Sequence, residues 1–131
     1  MDKSASEYFD NVIETARKIL EESEHETDFT PKRSILHIRG KYGPYQVRIT
    51  ELFSDDIRKY RYYVLRQNWV EAGFDNAPDP RAIRMKYGKI GLEHKGKNVS
   101  HLHLENKTRT VLTEEITFSD FFEWLYKNIS K

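Results

Sequence analysis

Cysteine is absent from this chain of 131 residues. Its absence excludes disulfides, thiolate metal sites and zinc-finger spacings, and it fits a cytoplasmic location. No run approaches the roughly 18 apolar residues of a membrane span. The opening Met1-Asp2-Lys3-Ser4 lacks the apolar core of a secretion signal, so no membrane partner is expected. Hydrophobic residues make up only 37% of the chain and charged residues 33%, a balance that predicts a wet surface around a modest core. There is no Gly-x-Ser-x-Gly, no phosphate-cradling glycine loop, no internal repeat and no low-complexity tract. Serine-hydrolase, kinase and nucleotide-cofactor functions therefore have no footing.

Aromatic residues offset the shortage of aliphatics. Seven Phe, eight Tyr and two Trp bury large areas per residue. A chain of this length forms one domain, here 1–131. Net charge is only +1, but it is unevenly spread. From Met1 to Asp28 nine acidic residues face three basic ones, and from Asp79 to Arg109 eight basic residues face three acidic ones. The acidic stretch reads as a solvated face or a dock for a basic partner. The basic stretch marks a surface for an anion, a polynucleotide backbone first among them.

Periodicity predicts an α+β fold: an antiparallel sheet of about five to seven strands flanked by an N-terminal and a C-terminal helix. Ser4-Ala5-Ser6-Glu7 has the form of a capping box, and apolar residues from Tyr8 to Leu20 recur at helical spacing to about Glu22. Strands are expected over Ser34–Lys41, Tyr45–Leu52, Lys59–Arg66 and Trp69–Phe74, with turns at Gly40–Pro44 and Gln67-Asn68. The prolines in Asn76-Ala77-Pro78-Asp79-Pro80 predict a loop from Asp75 to Lys89. Short strands are expected at Ile90–Glu93, Val99–Leu104 and Thr110–Leu112. A last helix opens at Thr117 and carries an apolar stripe of Phe118, Phe121, Phe122, Leu125, Tyr126 and Ile129.

The chemistry concentrates between Phe74 and His103. His101 and His103 stand two apart on an expected strand, so both imidazoles leave one face, about 6–7 Å apart, while Leu102 and Leu104 turn to the core. Imidazole titrates near neutral pH, so such a pair can act as acid and base in phosphodiester transfer. It can equally hold a metal through its ring nitrogens, or be two half-exposed histidines; the spacing leaves these open. The acid–base reading needs neither cofactor nor metal, and none is expected. Asp75 is the candidate to orient one imidazole or to complete a metal site. Asn76 and Pro78 set the shape of the loop. Arg81, Arg84, Lys86, Lys89, Lys95 and Lys97, interleaved with Tyr87, offer donors for phosphates beside a flat ring for bases; a solvated loop would have the same composition. His37 is expected on the polar sheet face beside Arg39 and Arg48.

The strand Tyr60-Arg61-Tyr62-Tyr63, the short strand ending Phe74-Asp75-Asn76-Ala77-Pro78 and the later His101-Leu102-His103 together resemble the TumE family, prokaryotic toxins of toxin–antitoxin pairs. The resemblance covers roughly Tyr45 to His103. It implies a small helix-turn-helix antitoxin as partner and RNA as target. The expected function is a toxin acting as a metal-independent endoribonuclease, with His101, His103 and Asp75 at the reaction. The alternative is a non-catalytic module that binds nucleic acid or protein through its basic surface. A homodimer formed through the aromatics stays open.

Overall fold

The computed structural model describes residues 3–131. Helix α1 (Lys3–Ile19) leads into a run of strands: β1 (Glu21–Phe29), β2 (Arg33–Tyr42), β3 (Tyr45–Ser54), β4 (Ile57–Arg66) and β5 (Trp69–Asp75). Helix α2 (Pro80–Tyr87) and the helical turn α3 (Gly91–His94) follow, then β6 (His101–Leu104), β7 (Arg109–Leu112) and α4 (Phe118–Asn128). The seven strands form one sheet in chain order, and every neighbouring pair is antiparallel. This is the expected α+β arrangement, with helices from both ends of the chain on one face.

Period-two alternation decides which face that is. Leu36 and Ile38, Val47 and Ile49, Tyr60, Tyr62 and Val64, Phe74 and Leu102 all turn to the helices. There they meet Phe9, Val12 and Ala16 of α1 and Phe121, Phe122 and Leu125 of α4. The Tyr62 ring stacks between Tyr60 and Phe121, with centroids 5.1 Å away on each side, so aromatic area supplies what aliphatic content does not. The alternate residues make the opposite face, where Arg39, Arg48 and Arg61 are exposed. Only its far edge is covered: Ala82 and Ile83 of α2 pack with Val99 and Leu112 in a small second core.

Five expectations are corrected. Helix α1 stops at Ile19, not Glu22, and the acidic residues after it form an edge strand along β2. Its polar side chains give no apolar alternation to read, and charge on an edge strand guards against pairing with other chains. Ser4 lies inside α1, not at a cap; Met1 and Asp2 lie outside the described residues. The expected loop from Asp75 to Lys89 contains α2, because Asp79 caps it, Pro80 takes the first turn and Gly88 ends it at φ 81°. Proline is well suited to that first position, where its missing N–H has no partner to lose. Ile90–Glu93 is not a strand, since Gly91–His94 makes one helical turn. In α4, Tyr126 falls outside the apolar stripe and is 81% exposed.

One charged cluster sits inside the main core. Glu51 is fully buried, and its carboxylate accepts from Tyr8 (3.0 Å), from Tyr62, and from Nε and Nη2 of Arg58 (3.1 and 2.9 Å). Arg58 also donates to the Ile116 carbonyl at 2.9 Å and reaches Glu115 at 3.3 Å. Burial, reinforced by the nearby Glu51 charge, pushes both tyrosine hydroxyls well above their ordinary range. Removing one partner strands the other's charge in a dry site. Arg58→Met is therefore expected to lower the unfolding free energy by about 3–5 kcal/mol. The double variant Glu51→Leu/Arg58→Met is expected to lose less than Arg58→Met alone, as measured by urea denaturation.

Candidate functional site

Strands β5, β6 and β7 carry the site on the face away from the main core. Leu102 and Val111 belong to that core, so alternation turns His101, His103, Thr110 and Leu112 the other way. The two imidazoles converge, with Nε2 of His101 3.1 Å from Nε2 of His103. Both are buried, His101 to 1% exposure. The hydrogen-bond partners assign their tautomers. Nδ1–H of His101 donates to the Val99 carbonyl at 2.6 Å, and this ring offers a lone pair at Nε2. His103 donates its Nε2–H into that lone pair, while its Nδ1 faces the Thr110 hydroxyl at 3.4 Å.

The third member is Asp79, not Asp75. Asp79 Oδ2 lies 3.8 Å from Nε2 of His103 and 4.0 Å from Nε2 of His101. Its other oxygen, Oδ1, accepts from the backbone N–H groups of Arg81 (2.9 Å) and Ala82 (3.1 Å) as the cap of α2. Burial alone would raise this carboxyl. The Ala82 N–H, the two imidazoles and the Arg81 N–H together hold it below the usual carboxylate range. Burial, and then the His101 ring, hold His103 below the ordinary imidazole range against the opposing pull of Asp79.

Asp75 is the register partner of His101, yet its carboxylate is engaged elsewhere. Oδ1 accepts from the Ala77 N–H at 2.7 Å and Oδ2 sits 3.4 Å from Nε of Arg61. Asn76 was expected to shape its own loop, and its side chain bonds instead to β4. Its side chain accepts from the Tyr60 N–H at 3.0 Å and donates to the Arg58 carbonyl at 2.9 Å, continuing the ladder along β4. Pro78 is exposed on the way to Asp79.

Beside the triad opens a cleft of about 440 Å³ lined by Asp79, Arg81, Arg84, His103, Lys107 and Thr110. Of the six basic residues expected to hold phosphate, the cleft takes Arg81 and Arg84. Arg81 Nη1 is tethered to Thr110 Oγ1 and to the carbonyls of Lys107 and Thr108 at 3.2–3.4 Å. Lys86 and Lys97 instead stand over the Tyr87 ring, which also stacks on His94 at 4.1 Å. Lys89 and Lys95 are exposed outside the cleft lining.

Sequence reasoning missed Asp79, Lys107 and Thr110. Asp-Pro followed by seven residues and a glycine was the available signal for Asp79, because it spells cap, first turn and helix end. It also missed two cross-strand rows. Register pairs Arg39 with Arg48, Arg48 with Tyr63, Tyr63 with Gly73, and Gly73 with His103. The adjacent row runs His37, Thr50, Arg61, Asp75, His101. Arg39, Arg48 and Arg61 thus lie on the open face toward β2–β4, and Tyr63, Gly73 and Asp75 separate them from the imidazoles, about 14 Å from Arg48 to His103 over three strand spacings.

Gly73 makes the junction possible. With no side chain there, the Tyr63 ring lies flat across it, between Arg61 at 5.0 Å and Lys107 at 5.2 Å. A Cβ at this position would meet the ring at 2.8 Å. Gly73→Ala is expected to cost about 1–3 kcal/mol through overpacking, measured by chemical denaturation. The same change in a Tyr63→Ser background is expected to cost clearly less. No protein-family model, no curated protein and no solved structure matches the chain, so the likeness to the TumE family rests on the quoted residues alone.

Proposed function

We propose that the protein binds a single-stranded polynucleotide, RNA first among candidates, and acts on its backbone at the His101–His103–Asp79 triad. The observation that carries this reading is the placement of basic side chains on both sides of the triad. Arg48 and Arg61 lie upstream on the open face, and Arg81, Arg84 and Lys107 line the far side. Neither Arg48 nor Arg84 has an ion-pair partner among the described residues, so both are available to phosphate oxygens. A strand laid along the rows would pass directly over the imidazoles. Phosphate contacts of this kind give affinity and position without sequence specificity.

The separation of the imidazoles constrains the chemistry. Two nitrogens 3.1 Å apart leave no room for a phosphodiester between them, so they do not act as acid on one side and base on the other. They act from one side of the reacting group, with Asp79. The toxin role implied by the resemblance follows from the same site: growth arrest on overproduction would require the triad and the cationic rows together. A second reading has one specific support. The chain Thr110–His103–His101–Val99 satisfies both rings internally, as a purely structural pair would. In that case the open face binds without turnover.

Binding to a labelled single-stranded RNA across a salt series tests the proposal. The logarithm of affinity is expected to fall with the logarithm of salt by about 0.7 per phosphate contact. Arg48→Gln and Arg84→Gln should each flatten the slope by about that amount. A salt-independent affinity, or slopes unchanged in both variants, would show that the rows do not hold a phosphate backbone. Cleavage of the same RNA by wild type, but not by Asp79→Asn, separates turnover from binding alone.

A further inference from the structure

We infer that Asp79, His101 and His103 form a mononuclear site for a first-row divalent transition cation, with a coordination position open to the cleft. The inference rests on the triad and is independent of whether the cleft takes RNA. One ligand atom from each residue falls within a group no wider than 4.8 Å. Bonds of about 2.0–2.2 Å to a cation, set at right to tetrahedral angles, place ligand atoms about 3.0–3.5 Å apart. The nitrogen pair, at 3.1 Å, already has that separation. Asp79 Oδ2, at 3.8 and 4.0 Å, needs only a side-chain adjustment of about half an ångström to reach it.

The surroundings are those of ligands held in place from behind. Metal-binding histidines characteristically use the remote ring nitrogen to donate to a carbonyl, hydroxyl or carboxylate, which fixes tautomer and ring orientation. His101 does so to Val99. His103 faces Thr110, whose hydroxyl is able to accept as well as donate. Asp79 is held through Oδ1 by two backbone N–H groups, leaving Oδ2 turned to the imidazoles. The electrostatics agree. With His101 Nδ1–H committed to Val99, two Nε2 atoms facing each other in a dry setting need a positive centre between them. Without a metal, the shared proton of His103 serves. A cation takes that place when His103 shifts its proton to Nδ1 and donates to Thr110, with no proton lost from either ring.

The ligand set selects the class of ion. Two imidazoles and one carboxylate, with no thiolate available, suit zinc, iron(II), cobalt(II) or nickel(II) better than calcium or magnesium, which prefer all-oxygen shells. Three protein ligands leave at least one position for water or substrate, the arrangement of a catalytic and not a structural centre. That position faces Arg81, Arg84 and Lys107, so the exogenous ligand is expected to be anionic.

Cobalt(II) and zinc(II) titrations of chelator-treated, full-length protein test this. One equivalent of cobalt is expected to bind, with visible bands of four- or five-coordinate geometry, and zinc is expected to displace it. Asp79→Asn preserves the helix cap, because asparagine caps as well as aspartate. This variant is expected to weaken zinc binding at least about tenfold, since loss of even an outer partner costs about that much. His103→Gln should weaken it further, while His25→Gln, an exposed control, should leave it unchanged. Binding unaltered in Asp79→Asn, a six-coordinate aquo-like cobalt spectrum, or no binding at all would overturn the assignment. Should His103→Gln fail to fold, the Asp79→Asn comparison decides alone. RNA binding measured with chelator present reports separately on the cationic rows.

Discussion

The carboxylate of Glu51 is the constraint from which the rest of the molecule is hung. It lies fully buried in the main core, and a lone charge there would be prohibitively costly. Every element that satisfies it is thereby fixed: Tyr8 from the first helix, and Tyr62 and Arg58 from the neighbouring strand β4. Arg58 carries the restraint outward to Ile116 just before the last helix. Its own carbonyl is bonded by Asn76, which starts the connection that ends at Asp79. The polar core is thus linked through the backbone of Arg58 to the start of the segment that carries Asp79.

Much of the fold was legible in the sequence because its physics is local. Alternation in Tyr45–Leu52 and Lys59–Arg66 places Val47, Ile49, Tyr60, Tyr62 and Val64 in the core, and there they are. The apolar stripe of the last helix puts Phe121, Phe122 and Leu125 against the sheet. What escaped was structure whose signals conflict. Glu21–Phe29 is a strand with no apolar alternation, held by β2 alone on the sheet's edge. Asp79-Pro80 reads as a break when proline is taken as a helix breaker and as a helix start when its position is considered. The same misjudgement hid the third member of the triad, since a residue in an assumed loop has no defined direction.

The imidazole pair shows a similar division. That His101 and His103 share a face follows from their spacing. That their Nε2 atoms approach to 3.1 Å does not, because strand geometry alone sets the backbone and not the rotamers. Rotamers here answer to Val99 and Thr110, residues whose proximity depends on how the chain returns from α3 to the sheet. Long-range pairing of this kind leaves no periodic trace. It is also why the carboxylate nearest in register, Asp75, is engaged by Arg61 while the one across the connection points at the rings.

Because the strands lie side by side in the order of the chain, most ladders close across a short turn at small entropic cost, while β5 and β6 close over the longer connection that carries α2 and α3. Strand order of this kind keeps the hairpin contacts local, and local contacts go with faster folding than distant pairings do. It also partitions the molecule by sequence: the triad and its cleft are assembled from the second half of the chain, on the last three strands. The opening helix and β1 lie apart from the triad, and their outer surface can diverge, residue by residue, without disturbing the chemistry at the other end.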